Sequence, residues 1–327
     1  MNQDNMIQKP KVSVIIPVYA VEQYIERCAR SLFEQTLDSI EYLFINDCTP
    51  DKSIDILKRI LEEYPHRKNQ VVIHNMDVNS GQAAVRKWGI LNASGEYIIH
   101  CDSDDWVDHN IYKELYDAAK KNNADVAVCD FYRAYGNDIR NAVVGCHSTK
   151  VSEFVNNLVR NKDIWALWNK LIKASCYQCI NFPKSNMGED MAYVLQIAYN
   201  IKKVAYVQKP LYYYFYNPLS ITNNKTEEKI LDKYTQIIDN VQLLLDFYSD
   251  KELSSDLCSY LNYLKWTQRD ILLPIVCKKK YYKLWRSTFS GIEWVIMNDR
   301  KQKARDRLKC LLTILHIYPF FGLQNKE

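Results

Sequence analysis

The sequence predicts an α/β fold, with a mostly parallel central sheet flanked by helices and a helical C-terminal extension. Between residues 11 and 129, five short apolar runs rich in β-branched side chains alternate with segments of helical spacing. Strands that alternate with helices in this way form βαβ units, which give parallel strands joined by right-handed crossovers. From Thr226 onward the chain has helical spacing almost throughout. These two patterns define the predicted fold class.

The composition is that of an ordinary globular protein. The chain has 327 residues, 47% hydrophobic and 25% charged, which suggests two domains or one α/β domain with a large extension. A formal net charge of +4 does not indicate nucleic acid binding, which needs a strongly basic face. The 10 cysteines are scattered, and we find neither a secretory signal nor an apolar run long enough to span a membrane. We therefore expect a cytoplasmic protein with reduced thiols.

Each element of the first half is predicted from a local pattern. Residues 11–19 form a continuous apolar run, which suits a strand covered on both faces. The other four strands are predicted at 42–45, 70–74, 96–101 and 125–129. The helices between them are predicted at 22–35, from Pro50 to Leu61 with Thr49 as N-cap, at 80–91, and from a cap at Asp108 to Lys121.

After Phe131 the rhythm changes. The spacing predicts helices at 151–160, 164–173 and 189–200 and strands at 203–207 and 211–216. A polar stretch with a proline, 217–225, marks a boundary before the helical region.

Four short segments follow the predicted strands at the points where ligands bind in open α/β sheets. In chain order they are Pro17, Val18 and Tyr19, then Asn46 and Asp47, then Asn79, Ser80 and Gly81, then Asp102, Ser103, Asp104 and Asp105. We therefore expect one edge of the sheet to gather at least four carboxylates.

The cluster Asp102–Asp105 is the densest of these groups. Carboxylates this close repel one another unless a cation or hydrogen-bond donors neutralise them, and oxygen ligands favour magnesium, manganese or calcium. In an extended segment Asp102 and Asp104 point the same way. The alternative is a helix-capping cluster, but one cap needs one aspartate. We favour a site for a metal and a phosphate group.

Other phosphate-binding and catalytic motifs are missing from the sequence. It contains no Gly-x-x-x-x-Gly-Lys-Ser/Thr, and no Gly-x-Gly-x-x-Gly follows the first strand. His-Glu-x-x-His and Gly-x-Ser-x-Gly are also missing. A diphosphate leaving group held by a metal on acidic residues is the simplest remaining hypothesis.

Four segments in order carry a resemblance to a known family. They are the opening strand to Tyr19, Asn46-Asp47, Asn79-Ser80-Gly81 with Arg86, and Gly95-Glu96-Tyr97-Ile98 leading into Asp102-Ser103-Asp104-Asp105. A fifth segment, Gly188-Glu189-Asp190, follows later in the chain. With them, residues 12–222 resemble the inverting family-two glycosyltransferases with the GT-A fold. Departures include Ala20 where the family often has Asn, and Cys48-Thr49-Pro50 where Gly-Ser-Thr is usual.

The resemblance implies a role for each matching residue. Asp190 would be the catalytic base, Asp104 and Asp102 would hold a divalent metal, manganese or magnesium, and Asp102 would also face the ribose. The implied nucleotide-sugar-binding residues are Pro17, Val18, Tyr19, Asp47, Gly81, Arg86, Asp102 and Ser103. Contacts to the acceptor or the diphosphate are expected from Trp168, Lys170, Glu189 and Ser220.

The implied function is metal-dependent, inverting sugar transfer from a nucleotide-diphosphate sugar, with UDP-sugars favoured, to a hydroxyl of a glycan or lipid-linked acceptor. The resemblance divides the chain into a GT-A domain, 1–222, and a helical region, 223–327. The GT-A domain would have a nucleotide-binding half, 11–130, and an acceptor half, 131–222. A catalytically silent sugar-nucleotide-binding or scaffold protein and a nucleotidyltransferase are the alternatives.

The C-terminal region has a basic run, 301–309, before an apolar stretch, 310–323, and an earlier basic and aromatic segment, 278–286. A basic stretch beside an apolar one is typical of helices that lie in a membrane interface, and such segments also contact anionic headgroups. A helix packed on the body of the protein has the same pattern. Both interpretations stay open, with the inner face of the cell membrane as the expected location in the first.

Overall fold

The computed structural model describes residues 9–136, 138–145, 147–160, 162–216 and 226–318. Contacts divide the chain into two units, Met1–Asn186 with Tyr193–Leu219, and Met187–Ala192 with Ser220–Glu327. The predicted boundary at residue 222 lies outside the described residues, so the predicted domain division stays a prediction.

The first unit contains the sheet. Its elements are β1 (Val12–Val18), α1 (Ile25–Phe33), β2 (Ile40–Asn46), α2 (Ser53–Glu62), β3 (Val71–Asn75), α3 (Gln82–Asn92), β4 (Tyr97–His100), β5 (Trp106–Val107), α4 (Ile111–Asn122), β6 (Val126–Tyr135), β7 (Asp138–Val143), α5 (Val151–Val159), β8 (Lys170–Lys173), α6 (Glu189–Asn200) and β9 (Val204–Phe215). The first residues of α6 belong to the second unit in this division.

The sheet forms around β1, whose apolar run is buried except for the half-buried Pro17. Among the described residues the strand order is β3-β2-β1-β4-β8-β6-β9-β5, with β7 on β6. Strands β3, β2, β1 and β4 are parallel, and so are β6 and β9. The predicted α/β class is therefore confirmed, and the carboxyl ends of β1, β2, β3 and β4 lie along one edge.

Antiparallel strands interrupt the predicted parallel order. Strand β8 pairs antiparallel with both β4 and β6, so the fourth and fifth predicted strands are not neighbours. The helix predicted at 164–173 is therefore wrong. Both Leu171 and Ile172 are buried, so this short run is apolar on both faces, and such runs do not distinguish strand from helix.

The two strands predicted at 203–207 and 211–216 form one strand, β9. Its register against β6 shifts on both sides of Asp130, which pairs with Pro210. A proline cannot donate to a ladder and is tolerated at such irregularities. The break in the apolar pattern is therefore a bulge within a strand.

The predicted start of the second helix is also wrong, because α2 begins at Ser53. Thr49 Oγ1 accepts the N–H of Ala20 at 2.8 Å and donates to Asp51 Oδ1 at 2.7 Å. Asp51 Oδ1 in turn accepts the N–H of Ser53 at 3.1 Å. Thr49 therefore joins the loops after β1 and β2, and Asp51 contacts the first residue of α2.

The described part of the second unit is helical, as the sequence predicts. Its helices are α7 (Glu227–Tyr248), α8 (Ser255–Gln268), α9 (Lys279–Ser287), α10 (Ile292–Asn298) and α11 (Ala304–Ile314). Thr226 caps α7 by accepting the N–H of Lys229 at 3.4 Å. The fully buried Trp285 lies under the guanidinium of Arg269, which pairs with Glu293 at 2.8 Å. None of the helices in the described ranges combines the length and the apolar character that crossing a membrane requires.

Candidate active site

Asp47, directly after β2, connects three loops at the carboxyl edge of the sheet. Its N–H donates to the Val18 carbonyl at 3.0 Å, which keeps the ends of β1 and β2 side by side. Its carboxylate accepts the N–H groups of Ser80 at 2.7 Å and Gly81 at 2.8 Å. The side chain is buried. The loop after β3 is thus fixed to the end of β2 by a buried carboxylate.

The loops after β1 and β2 contain two non-glycine residues in the left-handed region, Ala20 and Cys48, each with φ +53°. Asn and Gly adopt this conformation at lower cost than Ala and Cys, so the departures from the family pattern at these two positions add local strain. Next to them, Val18 is buried and the ring of Tyr19 is 49% exposed. Tyr19 is therefore the side chain of this segment that can meet a planar ligand.

Gly81 begins α3 with φ +80° and ψ 166°, a conformation that is essentially restricted to glycine. A Cβ atom here would lie 2.4 Å from Nδ2 of Asn186. Asn186 Oδ1 accepts the N–H of Ala83 at 3.0 Å, in the first turn of α3. Glycine is therefore required both by the backbone conformation and by the close approach of Asn186.

Arg86 and Asp102, two of the predicted nucleotide-binding residues, are in contact. The guanidinium of Arg86 is buried and its Nη2 donates to Asp102 Oδ1 at 3.0 Å, while the Asp102 side chain is 25% exposed. His100 is buried nearby, and burial, with the positive charge of Arg86, lowers the pKa of its imidazole well below the usual range. A neutral His100 leaves Arg86 as the cation of this part of the site.

The Asp102–Asp105 cluster is a turn, in which the N–H of Asp105 donates to the Asp102 carbonyl at 3.1 Å. Ser103 is buried, and Asp104 is half-buried. The carboxyl of Asp105 is buried, accepting the Tyr212 hydroxyl at 2.6 Å and the Phe215 N–H at 2.7 Å. Tyr212 Oη also accepts the Asp102 N–H at 3.1 Å. Strand β9 therefore holds the turn at two points.

The three carboxyl groups of the turn differ in electrostatics. Burial, together with the charges of Asp104 and Asp102, raises the pKa of Asp105 well above that of a free aspartic acid. Asp102 is balanced by Arg86. Asp105 is thus suited to structure, while Asp102 and Asp104 keep solvent-accessible surface at the strand end.

The residues present fit a divalent cation whose remaining ligands would come from the phosphates of a bound substrate. Within the described ranges, no group of three His, Cys, Asp or Glu side chains is placed to hold a metal. Magnesium and similar cations are usually bound by one or two carboxylates together with substrate phosphates. Asp104 and Asp102 could supply those carboxylates, so the donor set suits a cation that arrives with a diphosphate.

Arg27, on α1, supports the turn from another direction. Its Nη2 donates to the Asp104 carbonyl at 3.0 Å, and its guanidinium lies 3.7 Å from the centre of the Trp106 ring. Arg27, Trp106 and Tyr213 are among the residues that line a cleft of about 610 Å³, and none of the predicted nucleotide-binding residues lines it. The donor site is therefore not assigned to this cleft.

Trp168 and Lys170 are buried in the first unit. The Trp168 ring stacks on Tyr212 at 4.1 Å between centroids. The Lys170 ammonium donates to the carbonyls of Ile164 and Ala166 and to Asn169 Oδ1, each at 2.8 Å. These contacts stabilise the segment before β8, and contact of either residue with acceptor or diphosphate stays a prediction.

Glu189 and Asp190 open α6, in the second unit. Glu189 is buried and Asp190 is half-buried. Carboxylates in the first turn of a helix are stabilised by its dipole, so this position alone does not require a catalytic role. Ser220 lies outside the described residues. The predicted roles of these three residues stay predictions.

A model of glycosyl transferase family 2 matches residues 13–184, which is more than half of the chain. The chain belongs to this family. The glycosyltransferase assignment is therefore confirmed. The glycosyltransferase GlyA of Streptococcus pneumoniae is 32% identical over 235 residues, which cover 68% of this chain and 33% of GlyA. This glycosyltransferase thus spans about a third of the length of that relative.

Solved structures similar to this glycosyltransferase share its GT-A fold. Staphylococcus aureus TarS 1–349 in complex with UDP-GlcNAc has a TM-score of 0.56 and 17% identity, over 80% of this chain and 81% of that one. The mannosyltransferase PcManGT from Pyrobaculum calidifontis, in complex with GDP-Man and Mn²⁺, has a TM-score of 0.55 and 13% identity, over 98% and 88%. At these identities the likeness shows the fold alone.

Three residues that shape the site of this glycosyltransferase were not predicted from the sequence. Tyr212 holds the aspartate turn, Arg27 binds the Asp104 carbonyl, and Asn186 meets the start of α3. Tyr212 was one of five consecutive aromatic residues, and no local pattern separated it from its neighbours. For Arg27 and Asn186 the sequence carries no signal, because their contacts join segments far apart in the chain.

Proposed function

We propose that this glycosyltransferase moves a sugar from a nucleotide-diphosphate sugar, with UDP-sugars as the favoured donors, to a hydroxyl of a glycan or lipid-linked acceptor. Surface polysaccharide synthesis is the proposed setting. The observation that carries the proposal is the Asp102–Asp105 turn, which presents two part-exposed carboxylates at a strand end beside the buried Arg86. The UDP-GlcNAc complex of TarS supports a UDP-sugar as donor.

The donor would lie along the carboxyl ends of β1, β2 and β4. Tyr19, with Pro17 and Val18, would border the base, and Asp47 would face the base while it holds Gly81. Asp102 would meet the ribose, and Arg86 and Ser103 would support it. The buried contacts among these residues preorganise the loops before the donor binds, which reduces the ordering cost of binding.

The proposed cofactor is manganese or magnesium, held through Asp104 and Asp102. When bound, a divalent cation stabilises negative charge on a departing diphosphate. The Mn²⁺ complex of PcManGT supports this choice. The protein's own contribution is to hold the Asp104 main chain through Arg27 and to keep Asp105 buried against β9.

The proposed chemistry is a single displacement with inversion. The acceptor hydroxyl oxygen would form a bond to the anomeric carbon while the bond from that carbon to the diphosphate oxygen breaks. Asp190 would take the hydroxyl proton as general base. The products are the glycosylated acceptor and the nucleoside diphosphate. Trp168, Lys170, Glu189 and Ser220 are proposed to act near the acceptor or the diphosphate, directly or through the segments they hold.

The proposed location is the cytoplasm, at the inner face of the cell membrane, with contact through the basic C-terminal region. A lipid-linked acceptor would be presented at that surface. The segment 278–286 is a poorer choice for this contact than the sequence alone suggested, because Tyr281 and Trp285 are buried and Lys278 and Lys280 pair with Glu227.

A donor screen tests the proposed function. Wild-type protein is heated with manganese and, separately, UDP-glucose, UDP-GlcNAc, UDP-galactose or GDP-mannose. A UDP-sugar present at about a hundred times its Kd should stabilise the fold by about 2.7 kcal/mol. The same donor should then release UDP in a manganese-dependent reaction, in which water takes the place of the acceptor hydroxyl and the free sugar is the second product. Release of pyrophosphate would support a nucleotidyltransferase, and donor binding without any release would support a silent binding protein.

A further inference from the structure

The last helix of the second unit has its leucines on the exposed side. On α11, Leu308 is 55% and Leu311 41% exposed, and Leu315, which follows the helix, is 56% exposed. These positions are spaced by three and four residues, so they form one stripe. The residues that α11 buries are Asp306, Cys310 and Thr313. Water therefore meets the apolar face of this helix, while its more polar face is packed.

The neighbouring helix adds to the exposed apolar surface. Helix α10 packs with α11, and Ile292 and Ile296 of α10 form a small core with Cys310. Trp294 is 55% and Val295 46% exposed. Several large apolar side chains exposed on two packed helices mark an interaction surface, whereas single exposed leucines do not.

The segment that carries the leucine stripe is also rich in cations. Between residues 300 and 309 the chain has six basic side chains and one acidic side chain. The acidic one, Asp306, is buried. Lys303, Arg305 and Arg307 are exposed on the helix or just before it. An apolar stripe bordered by cations is the pattern of helices that lie in the interface of an anionic bilayer.

We propose that the exposed face of α10 and α11 docks this glycosyltransferase on an anionic lipid surface, with Leu308, Leu311, Leu315 and Trp294 entering the interface and the exposed Lys303, Arg305 and Arg307 meeting headgroups. Charge complementarity favours a lipid surface over a second copy of the chain. A two-fold contact through this same patch would bring the exposed Lys303, Arg305 and Arg307 of two copies together. The proposal rests on the proposed membrane location and not on the proposed chemistry.

Vesicle sedimentation tests the proposal with the full chain. Wild-type protein should bind phosphatidylcholine vesicles containing phosphatidylglycerol, bind pure phosphatidylcholine much less, and dissociate as salt rises. The double variant Leu308→Ser/Leu311→Ser should bind at least about tenfold more weakly, since it removes apolar side chains that enter the interface. The matched control is Val72→Ser/Leu91→Ser, which removes two exposed apolar residues of the first unit and should bind as wild type does.

Two double variants test whether vesicle binding depends on the cations of this surface or on any exposed cations of the chain. Lys303→Gln/Arg305→Gln should weaken vesicle binding about tenfold or more, because it removes two cations that attract anionic headgroups. Lys279→Gln/Lys283→Gln removes two exposed cations from α9 and should have a much smaller effect. An equal effect of the two pairs would overturn the assignment to α10 and α11.

Two further results would contradict the proposal. One is wild-type binding by the Leu308→Ser/Leu311→Ser variant. The other is a wild-type dimer in gel filtration that this variant loses, with no vesicle binding by either protein, which would assign the face to a second copy. Circular dichroism and thermal melting should match wild type, since the substituted side chains are exposed. UDP release without vesicles should be unchanged in Leu308→Ser/Leu311→Ser and in Lys303→Gln/Arg305→Gln. Failure of docking would therefore change vesicle binding alone, whereas failure of the proposed chemistry would show as missing UDP release in wild type.

Discussion

The three aspartates between positions 102 and 105 lie in three different environments. Asp105 is buried against Tyr212 and Phe215, Asp102 pairs with Arg86, and Asp104 is half-buried. The sequence shows that these acidic residues follow a predicted strand, where a ligand site is expected. It does not tell which carboxyl is buried, because Asp105 meets residues more than 100 positions later in the chain.

The raised pKa of Asp105 predicts a pH-dependent stability. The folded state holds the Asp105 proton more tightly than the unfolded state does, since burial disfavours the charged form. The contribution to stability is therefore fully present below the unfolded pKa, near 3.9, and is lost as pH rises toward the folded pKa. The Asp105→Asn variant lacks this proton. The free energy of unfolding of wild type, minus that of the variant, should fall as pH rises, by at most about 1.4 kcal/mol per pH unit.

Urea unfolding of both proteins across pH 4 to 8 measures this difference. Asp270, whose pKa burial raises to about 6, contributes a slope of the same sign, but it is present in both proteins and cancels. A difference that is flat, or that rises with pH, would show that Asp105 is charged in the folded protein.

At the scale of elements, Asp47 fixes the loop after β3 at the point where that loop leads into α3. The carboxylate of Asp47 binds Ser80 and Gly81, and Asn186 lies where a side chain on Gly81 would be. From the sequence, Asp47 and Gly81 were predicted only as residues that bind the nucleotide sugar. Their contact with each other is a property of the folded loops.

Gly81→Ala should destabilise the protein and impair donor binding. Its backbone lies in a region essentially limited to glycine, and the new Cβ meets Asn186, so a cost of about 3 kcal/mol or more is expected. Gly136→Ala is the control, since Gly136 also has positive φ but nothing lies within 4 Å of its Cβ position. That variant should cost about 1 kcal/mol and bind donor normally. Chemical denaturation and donor titration measure both, and equal costs would contradict the close-approach argument.

The alternation of β1 to β4 with α1 to α3 was predictable because each strand is an apolar run and each helix has an apolar stripe. The elements that the sequence misplaced are short or irregular. Strand β8 has four residues with both faces buried, and β9 contains a bulge at Pro210. Local pattern cannot resolve either case, because neighbouring strands decide the outcome.

At the scale of the whole molecule, the family match covers the first unit far better than the second. The model of the family ends at residue 184, and the acidic residues of α6 and the C-terminal helices follow it. The sequence therefore predicted the fold class and the enzyme class well. It did not predict that α11 would expose its leucines, because an amphipathic pattern does not show which face is packed.

The proposed roles separate donor binding at the strand ends from proton transfer at Asp190. If this is correct, a change at Asp190 should separate binding from transfer. Asp190→Asn keeps the size of the side chain and removes its ability to accept a proton, so only the chemical step should be lost.

The most direct test measures donor affinity and turnover on the same Asp190→Asn protein. With manganese and the UDP-sugar that best stabilises wild type, isothermal titration should give a Kd within about threefold of wild type. UDP release should fall by at least about 100-fold. The exposed Asp250 serves as control, and Asp250→Asn should match wild type in both measurements. Near-normal UDP release by Asp190→Asn would contradict the proposed mechanism.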